Sequence, residues 1–256
     1  MFSLNHIIWI IICIILCILG SIWVKKTNPE FKKVINYALI LSIISEVAKV
    51  FSVVKLVPVA NSNNYFPYIE LNHLPLHLCS LQIVFFIFLK MSNKDNKLRP
   101  WIISFMYPSC ILGGIFAILL PTIFNTTITV NQAFTHPISY QTFLYHTMLI
   151  IYGYFLFQSK EINLDKDGVK KSIIMIILLG TVFVYLNSAF TIPIYENGVL
   201  TGVSHNTNFF FVSLPPIPIT LTKSWHWLLY LCILLSLAVL LISLLYLPIV
   251  KRKRNV

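Results

Sequence analysis

The run WHWLLYLCILLSLAVLLISLLYLPIV, residues 225–250, followed at once by Lys251-Arg252-Lys253-Arg254, decides the fold. At ~1.5 Å per residue it outreaches a ~30 Å hydrocarbon layer, and no formal charge interrupts it before its basic end. Six further apolar runs precede it, at 6–23, 34–54, 74–90, 101–120, 140–157 and 172–193. The 256-residue chain is 57% hydrophobic and only 11% charged, which argues against a soluble core. It predicts an all-α, polytopic transmembrane helical bundle of seven spans forming one domain over residues 1–256.

The net charge of +11 would suggest nucleic acid in a soluble protein, but in a membrane protein cations are read loop by loop. Lys25, Lys26, Lys32 and Lys33 lie between spans 1 and 2, and Lys90, Lys94, Lys97 and Arg99 between spans 3 and 4. Lys160, Lys166, Lys170 and Lys171 lie between spans 5 and 6, before the C-terminal basic tail. Only Lys49, Lys55 and Lys223 of the 19 cations fall elsewhere. The positive-inside rule then puts the N-terminus outside, the C-terminus in the cytoplasm and the chain in a cell membrane, with no nucleic-acid partner. The first run has its cations after it, the reverse of a signal peptide, and reads as a retained helix. The basic tail is an orientation signal or a binder of anionic head groups. All five cysteines (Cys13, Cys17, Cys79, Cys110, Cys232) fall inside spans, which argues against a disulfide framework or structural zinc.

All seven histidines lie on the side opposite most of the cations. Glu46 and Lys49 sit roughly 12 and 8 Å below the outer end of span 2. His77 and Cys79 fall early in span 3, His146 early in span 5, and Asn187 near the outer end of span 6. An uncompensated charge at such depth costs about 2.5–3.5 kcal/mol or more, so an outward-facing polar cavity is the economical arrangement. Ser42, Ser45, Glu46, Lys49 and Ser52 share an arc of about 120°, a polar stripe facing the bundle. Glu46 and Lys49 form a structural ion pair or line the site. His6, His136 and His226 read as interfacial, and His73 and His205 as lining the mouth.

In a regular helix Cys79 would lie about 200° around from His77, so a partner from another helix, His146, is favoured. A thiol beside imidazole is activated as a thiolate, the nucleophile of acyl transfer, although a lone buried cysteine also serves as a small hydrophobe. His73 and His77, four apart, with Glu70 before them, form a weak metal-ligand pattern, and no metal or other cofactor is assigned. The stretch 195–224 carries Ser204-His205-Asn206-Thr207-Asn208, Phe209–Phe211, Pro215, Pro216 and Pro218. It reads as a lid over the cavity or as an interfacial belt with Trp225 and Trp227. Pro108 with Gly113-Gly114 marks a kink or close packing in span 4, and Asn125-Thr126-Thr127 matches a glycosylation sequon.

Leu74-Pro75-Leu76-His77-Leu78-Cys79, His146, and Thr207-Asn208-Phe209-Phe210-Phe211 resemble the YwaF family of bacterial integral membrane proteins, itself similar to the animal transmembrane protein 164 family. Ser224-Trp225-His226-Trp227 resembles the family's tryptophan-rich start of the last span, with His226 where proline is expected. The resemblance implies a bacterial plasma membrane and a lipid acyltransferase or acyl hydrolase, with Cys79 as nucleophile and His146 as base, acting on a membrane lipid. From the chemistry of the residues, Asn187 or Asn208 would hydrogen-bond the oxyanion, and Glu46, Lys49, His77 and His205 would line the substrate site. The alternative is a small-molecule transporter or ligand-binding membrane receptor without covalent chemistry, and a third reading is an assembly partner for another membrane complex.

Overall fold

The structure, a computed structural model, describes residues 2–60, 62–196, 198–205, 207–215 and 220–254. Asn206, Pro216 and Pro218 of the expected lid lie outside the described residues, as do the side chains of Asn125, Thr126 and the basic residues 252–254.

The chain is mostly helical. The long helices are α1 (Leu4–Thr27), α2 (Phe31–Val53), α3 (Leu78–Met91), α4 (Arg99–Leu119), α6 (Pro137–Gln158), α7 (Asp167–Ala189) and α8 (Ser224–Arg254), with a single turn, α5, at Ile123–Thr126. Two antiparallel hairpins interrupt them: β1 (Lys55–Pro58) with β2 (Tyr65–Tyr68), and β3 (Thr191–Glu196) with β4 (Val199–His205). The all-α expectation is corrected to that extent. Span 6 ends at Ala189 rather than 193, because Thr191-Ile192-Pro193-Ile194 combines β-branched residues with a proline that cannot sit inside a helix.

The boundaries follow local chemistry. The Ser3 hydroxyl caps α1, which stops where Asn28 takes a left-handed conformation (φ 42°) ahead of Pro29. Pro137 occupies the first turn of α6, behind His136, whose ring nitrogen accepts the Ile138 N–H.

Pro108 sits inside α4 and has no N–H to offer the carbonyl of Ser104, four residues earlier. In the apolar interior that oxygen would be orphaned, but the hydroxyls of Ser172 on α7 and Tyr246 on α8 both donate to it, each at 2.8 Å. The expected kink site is thus a three-helix junction.

Among the described residues five helices, α1, α2, α4, α7 and α8, are long and apolar enough to cross a membrane. Against the expected seven, α3 has 14 residues, about 21 Å, and α6 has the length but not the apolarity. The two most apolar helices are little covered: only 6% of the membrane-crossing stretch of α8 and 17% of that of α1 is buried within the protein. Ile14, Ile18, Leu228 and Ile233 are among the large aliphatic side chains left on the outside, a surface made for lipid rather than water. The packed core is aromatic, with Phe86, Phe105, Tyr152 and Phe155 among α3, α4 and α6.

The basic segments gather at one end of the bundle. The Glu161 carboxylate accepts the Phe31 N–H at 3.0 Å. Arg99 donates to the carbonyls of Leu89 (2.7 Å) and Ser92 (3.2 Å) and stands 5.0 Å from the Phe31 ring centre. At the opposite end His6, expected at the interface, is fully buried. Its Nε2 donates to the carbonyl of Ile118 (2.9 Å), and the ring packs between Phe2, Phe124 and Phe143.

Candidate functional site

The candidate site is built around the late start of α3. Pro75 forces Leu74 into extended backbone (φ −57°, ψ 147°), breaking a short 3-10 turn at Leu71–His73 away from the helix. His77 is also extended (φ −69°, ψ 152°) and is the N-cap, so the first helical bond runs from Leu81 N–H to the His77 carbonyl at 2.9 Å. His73 and His77 therefore do not share a helix face, and the 200° separation of His77 from Cys79 has no basis. Both readings assumed a helix from residue 74. The metal pattern falls with them, since Lys55 holds the Glu70 carboxylate at 2.7 Å.

Cys79 consequently stands in the first turn of α3. Its carbonyl accepts the Tyr145 hydroxyl (2.8 Å), which ties it to α6. Its Sγ faces Gly113 of α4, where an added Cβ would come within 3.3 Å. The glycine pair, expected for close packing, has separate neighbours: Gly113 meets the cysteine, whereas a Cβ on Gly114 would stand 2.7 Å from the His146 carbonyl. Two adjacent glycines of α4 thus admit Cys79 on one side and the backbone of His146 on the other.

His146 Nδ1 lies 2.6 Å from the Thr142 carbonyl. A carbonyl only accepts, so Nδ1 carries the proton and Nε2 is left with its lone pair. His77 is fixed in the opposite sense: its Nε2 donates to the Asn72 carbonyl at 2.8 Å and its Nδ1 is the basic nitrogen, with the ring edge against Phe209 at 5.0 Å.

On α2, Ser42, Ser45, Glu46, Lys49 and Ser52 are the more covered residues, while Ile43, Ile44, Val47 and Phe51 face outward. Lys49 Nζ meets Glu46 Oε1 at 2.6 Å, with side chains 11% and 21% exposed, and Ser45 accepts Gln141 of α6 at 2.9 Å.

Asn187 and Asn208 are engaged with backbone. The Asn187 amide donates to the Phe209 carbonyl (3.1 Å) while its oxygen accepts the Phe209 N–H (2.9 Å), clamping the aromatic turn Phe209–Phe211 onto α7. Asn208 accepts the N–H groups of Ser213 and Leu214, each at 3.2 Å, and donates to the Leu214 carbonyl. His205 is exposed at the end of β4, paired with Thr191. His73 is half-buried outside the spans, where desolvation pulls its pKa below the ordinary imidazole value and the Glu70 carboxylate opposes the shift.

Sequence reasoning missed Gln82. It is fully buried one turn after Cys79, donates to the Leu78 carbonyl (3.2 Å) and Ser109 Oγ (3.1 Å), and accepts from Cys110 Sγ (3.3 Å). A lone amide inside the apolar run 78–89 was the signal, and it carries the same desolvation argument that singled out Glu46 and Lys49.

Comparison with known proteins adds one finding. A family model described as the TMEM164 family matches residues 1–246, and the chain belongs to that family. No curated protein and no solved structure matches. The chain is a multi-pass membrane protein of the TMEM164 family.

Proposed function

We propose that this TMEM164 family protein transfers or hydrolyses a lipid acyl group, with Cys79 as nucleophile and His146 as base. The observation that carries the reading is the convergence of α3, α4 and α6. Cys79 is bonded through its carbonyl to Tyr145, the neighbour of a histidine whose Nδ1–H is committed to Thr142 and whose Nε2 can accept a proton.

In the proposed cycle the Cys79 thiol gives its proton to His146 Nε2 and the sulfur attacks the ester carbonyl carbon of a membrane lipid. The tetrahedral intermediate collapses to a thioester on Cys79, and the leaving alkoxide takes the proton back from His146. Water or an acceptor alcohol, deprotonated by His146, then attacks the thioester and restores the thiol. The N–H groups of Leu78, Cys79 and Ser80 precede the first intrahelical bond of α3 and supply the oxyanion donors, taking over the part assigned from sequence to Asn187 and Asn208. Glu46, Lys49 and His77 line the polar approach and hold the head group.

The reading includes seven spans, with α3 and α6 completing the five apolar helices, the N-terminus outside and the C-terminus in the cytoplasm. It also includes a bacterial plasma membrane and kinship with the YwaF family. The positive-inside distribution of lysines supports the orientation.

Purified protein supplied with phospholipid tests the chemistry. Cys79→Ala should lose acyl turnover and the thioester adduct visible by intact-protein mass spectrometry, and His146→Ala should slow turnover by about 10²–10⁴-fold. Full turnover in Cys79→Ala overturns the mechanism.

A further inference from the structure

A groove of about 570 Å³ runs between α1, α2 and α6, on the far side of α6 from the candidate site. Leu144 and Met148 line it, each about 160–200° around α6 from His146, with Thr147 at its margin about 100° away, so the groove follows a different face of α6 from that of His146. Its walls are apolar, with Leu19 and Gly20 from α1, Ala38 and Leu41 from α2, and Ile151 from α6. Towards the basic end it meets a second, polar pocket of about 340 Å³ lined by Thr27, Asn28, Glu30 and Lys33, and Trp23, Val34 and Tyr37 border both.

The two pockets form one amphipathic site. The apolar part is within the ~300–1,000 Å³ range of small-molecule sites and matches a hydrocarbon chain rather than a polar metabolite. Trp23 and Tyr37 are exposed where apolar wall gives way to polar mouth, the arrangement aromatic side chains adopt at head-group level. Lys33 lines that mouth, and Lys25, Lys26 and Lys32 are exposed on the same α1–α2 segment, four cations against the carboxylates of Glu30 and of Glu161, which accepts the Phe31 N–H, so the net charge there favours an anionic occupant.

We propose that this groove holds one acyl chain of an anionic phospholipid from the leaflet on the basic side, with its phosphate against the α1–α2 turn. The chain lies among Leu19, Leu41 and Met148. Glu30 holds Lys33 at 3.3 Å across the open surface, and the phosphate competes with that carboxylate for the ammonium.

Native mass spectrometry of the detergent-purified full chain, titrated with dioleoylphosphatidylglycerol or dioleoylphosphatidylcholine, tests the assignment. One phosphatidylglycerol should be retained in preference to phosphatidylcholine. Lys33→Ala should weaken that retention by about fivefold, and Glu30→Gln should strengthen it. Leu41→Trp, at a half-exposed wall position, should displace both lipids. Equal retention of the two lipids, indifferent to Lys33→Ala and Glu30→Gln, overturns the proposal. So does undiminished phosphatidylglycerol retention in a folded Leu41→Trp protein, which would leave only diffuse attraction to lysines. Should Leu41→Trp not fold, the two charge variants decide the matter alone.

Discussion

Helices α6 and α8 invert what hydropathy suggests about importance. The membrane-crossing window of α8 has a mean hydropathy of 2.9, yet only 6% of it is buried within the protein. Helix α6 carries Ser139, Gln141, Thr142, Tyr145, His146 and Thr147, is too polar to face lipid along its whole length, and buries residues from Ile138 to Leu156 against α1, α2 and α4. Outside a membrane the apolar helix would be the core. Here lipid solvates α8, while α6, shielded by its neighbours, keeps its polar groups away from lipid. In this fold the helix least fitted to lipid carries the polar side chains.

The contrast is broken most severely at the seam of α4 and α6. Gly114→Val places a branched side chain where even a Cβ comes within 2.6 Å of Ile150 and 2.7 Å of the His146 backbone. The expected cost exceeds about 4 kcal/mol, and monodisperse protein should not be recovered on size exclusion. Next, Phe143→Ala empties a fully buried position stacked on Trp9 at 4.9 Å and should cost about 3–5 kcal/mol in detergent unfolding. Leu237→Ala on α8, half exposed to lipid, should cost below about 0.5 kcal/mol. Equal losses at the two positions would end the distinction between the helices.

Gln82→Leu sharpens the same comparison within α3. It keeps the helix apolar but leaves the groups of Ser109 and Cys110 without their partner, at about 1–3 kcal/mol, and it should lower turnover because the first turn holding Cys79 loses its tether to α4. The smallest effect is expected outside the bundle. The hydrogen bond from Lys55 pulls the Glu70 pKa below the ordinary carboxylate value, with burial opposing and the Lys55 charge adding. A depressed carboxyl pKa contributes stability above its unfolded value, and that contribution is lost as pH falls through the folded value. Melting curves from pH 7 to pH 3 should therefore show Glu70→Gln and the parent protein converging at the acid end, with a slight deficit in the variant at neutrality.

Composition alone announced the membrane helices, because runs such as 225–250 have no alternative home. The boundaries that matter for the site were less legible. Leu74-Pro75-Leu76 is apolar and reads as the top of a span, yet Pro75 pushes Leu74 out of the helical region, and that steric rule outweighs hydropathy. The hairpins escaped notice because apolar, β-branched residues such as Ile192, Ile194 and Val203 look the same in a periodicity count whether they meet lipid or pair with a strand. Asn187 and Asn208 were noticed for their chemistry, but Asn208 closes a local turn onto Ser213 and Leu214, and which backbone group Asn187 clamps depends on a contact between segments some twenty residues apart.

The shortness of α3 and the polarity of α6 also bear on how the chain is made. A translocation channel releases a segment into lipid according to its own apolarity, and these two segments, which carry Cys79 and His146, are those it would release least readily. In the proposed seven-span arrangement they are admitted together with neighbours, α3 through the Gln82 tether to α4 and α6 within the sheath of α1, α2 and α4. Assembly of the bundle and completion of the proposed site are then one event, and a chain that stalls during biogenesis leaves apolar helices in the bilayer without the junction of α3, α4 and α6 that carries Cys79 and His146.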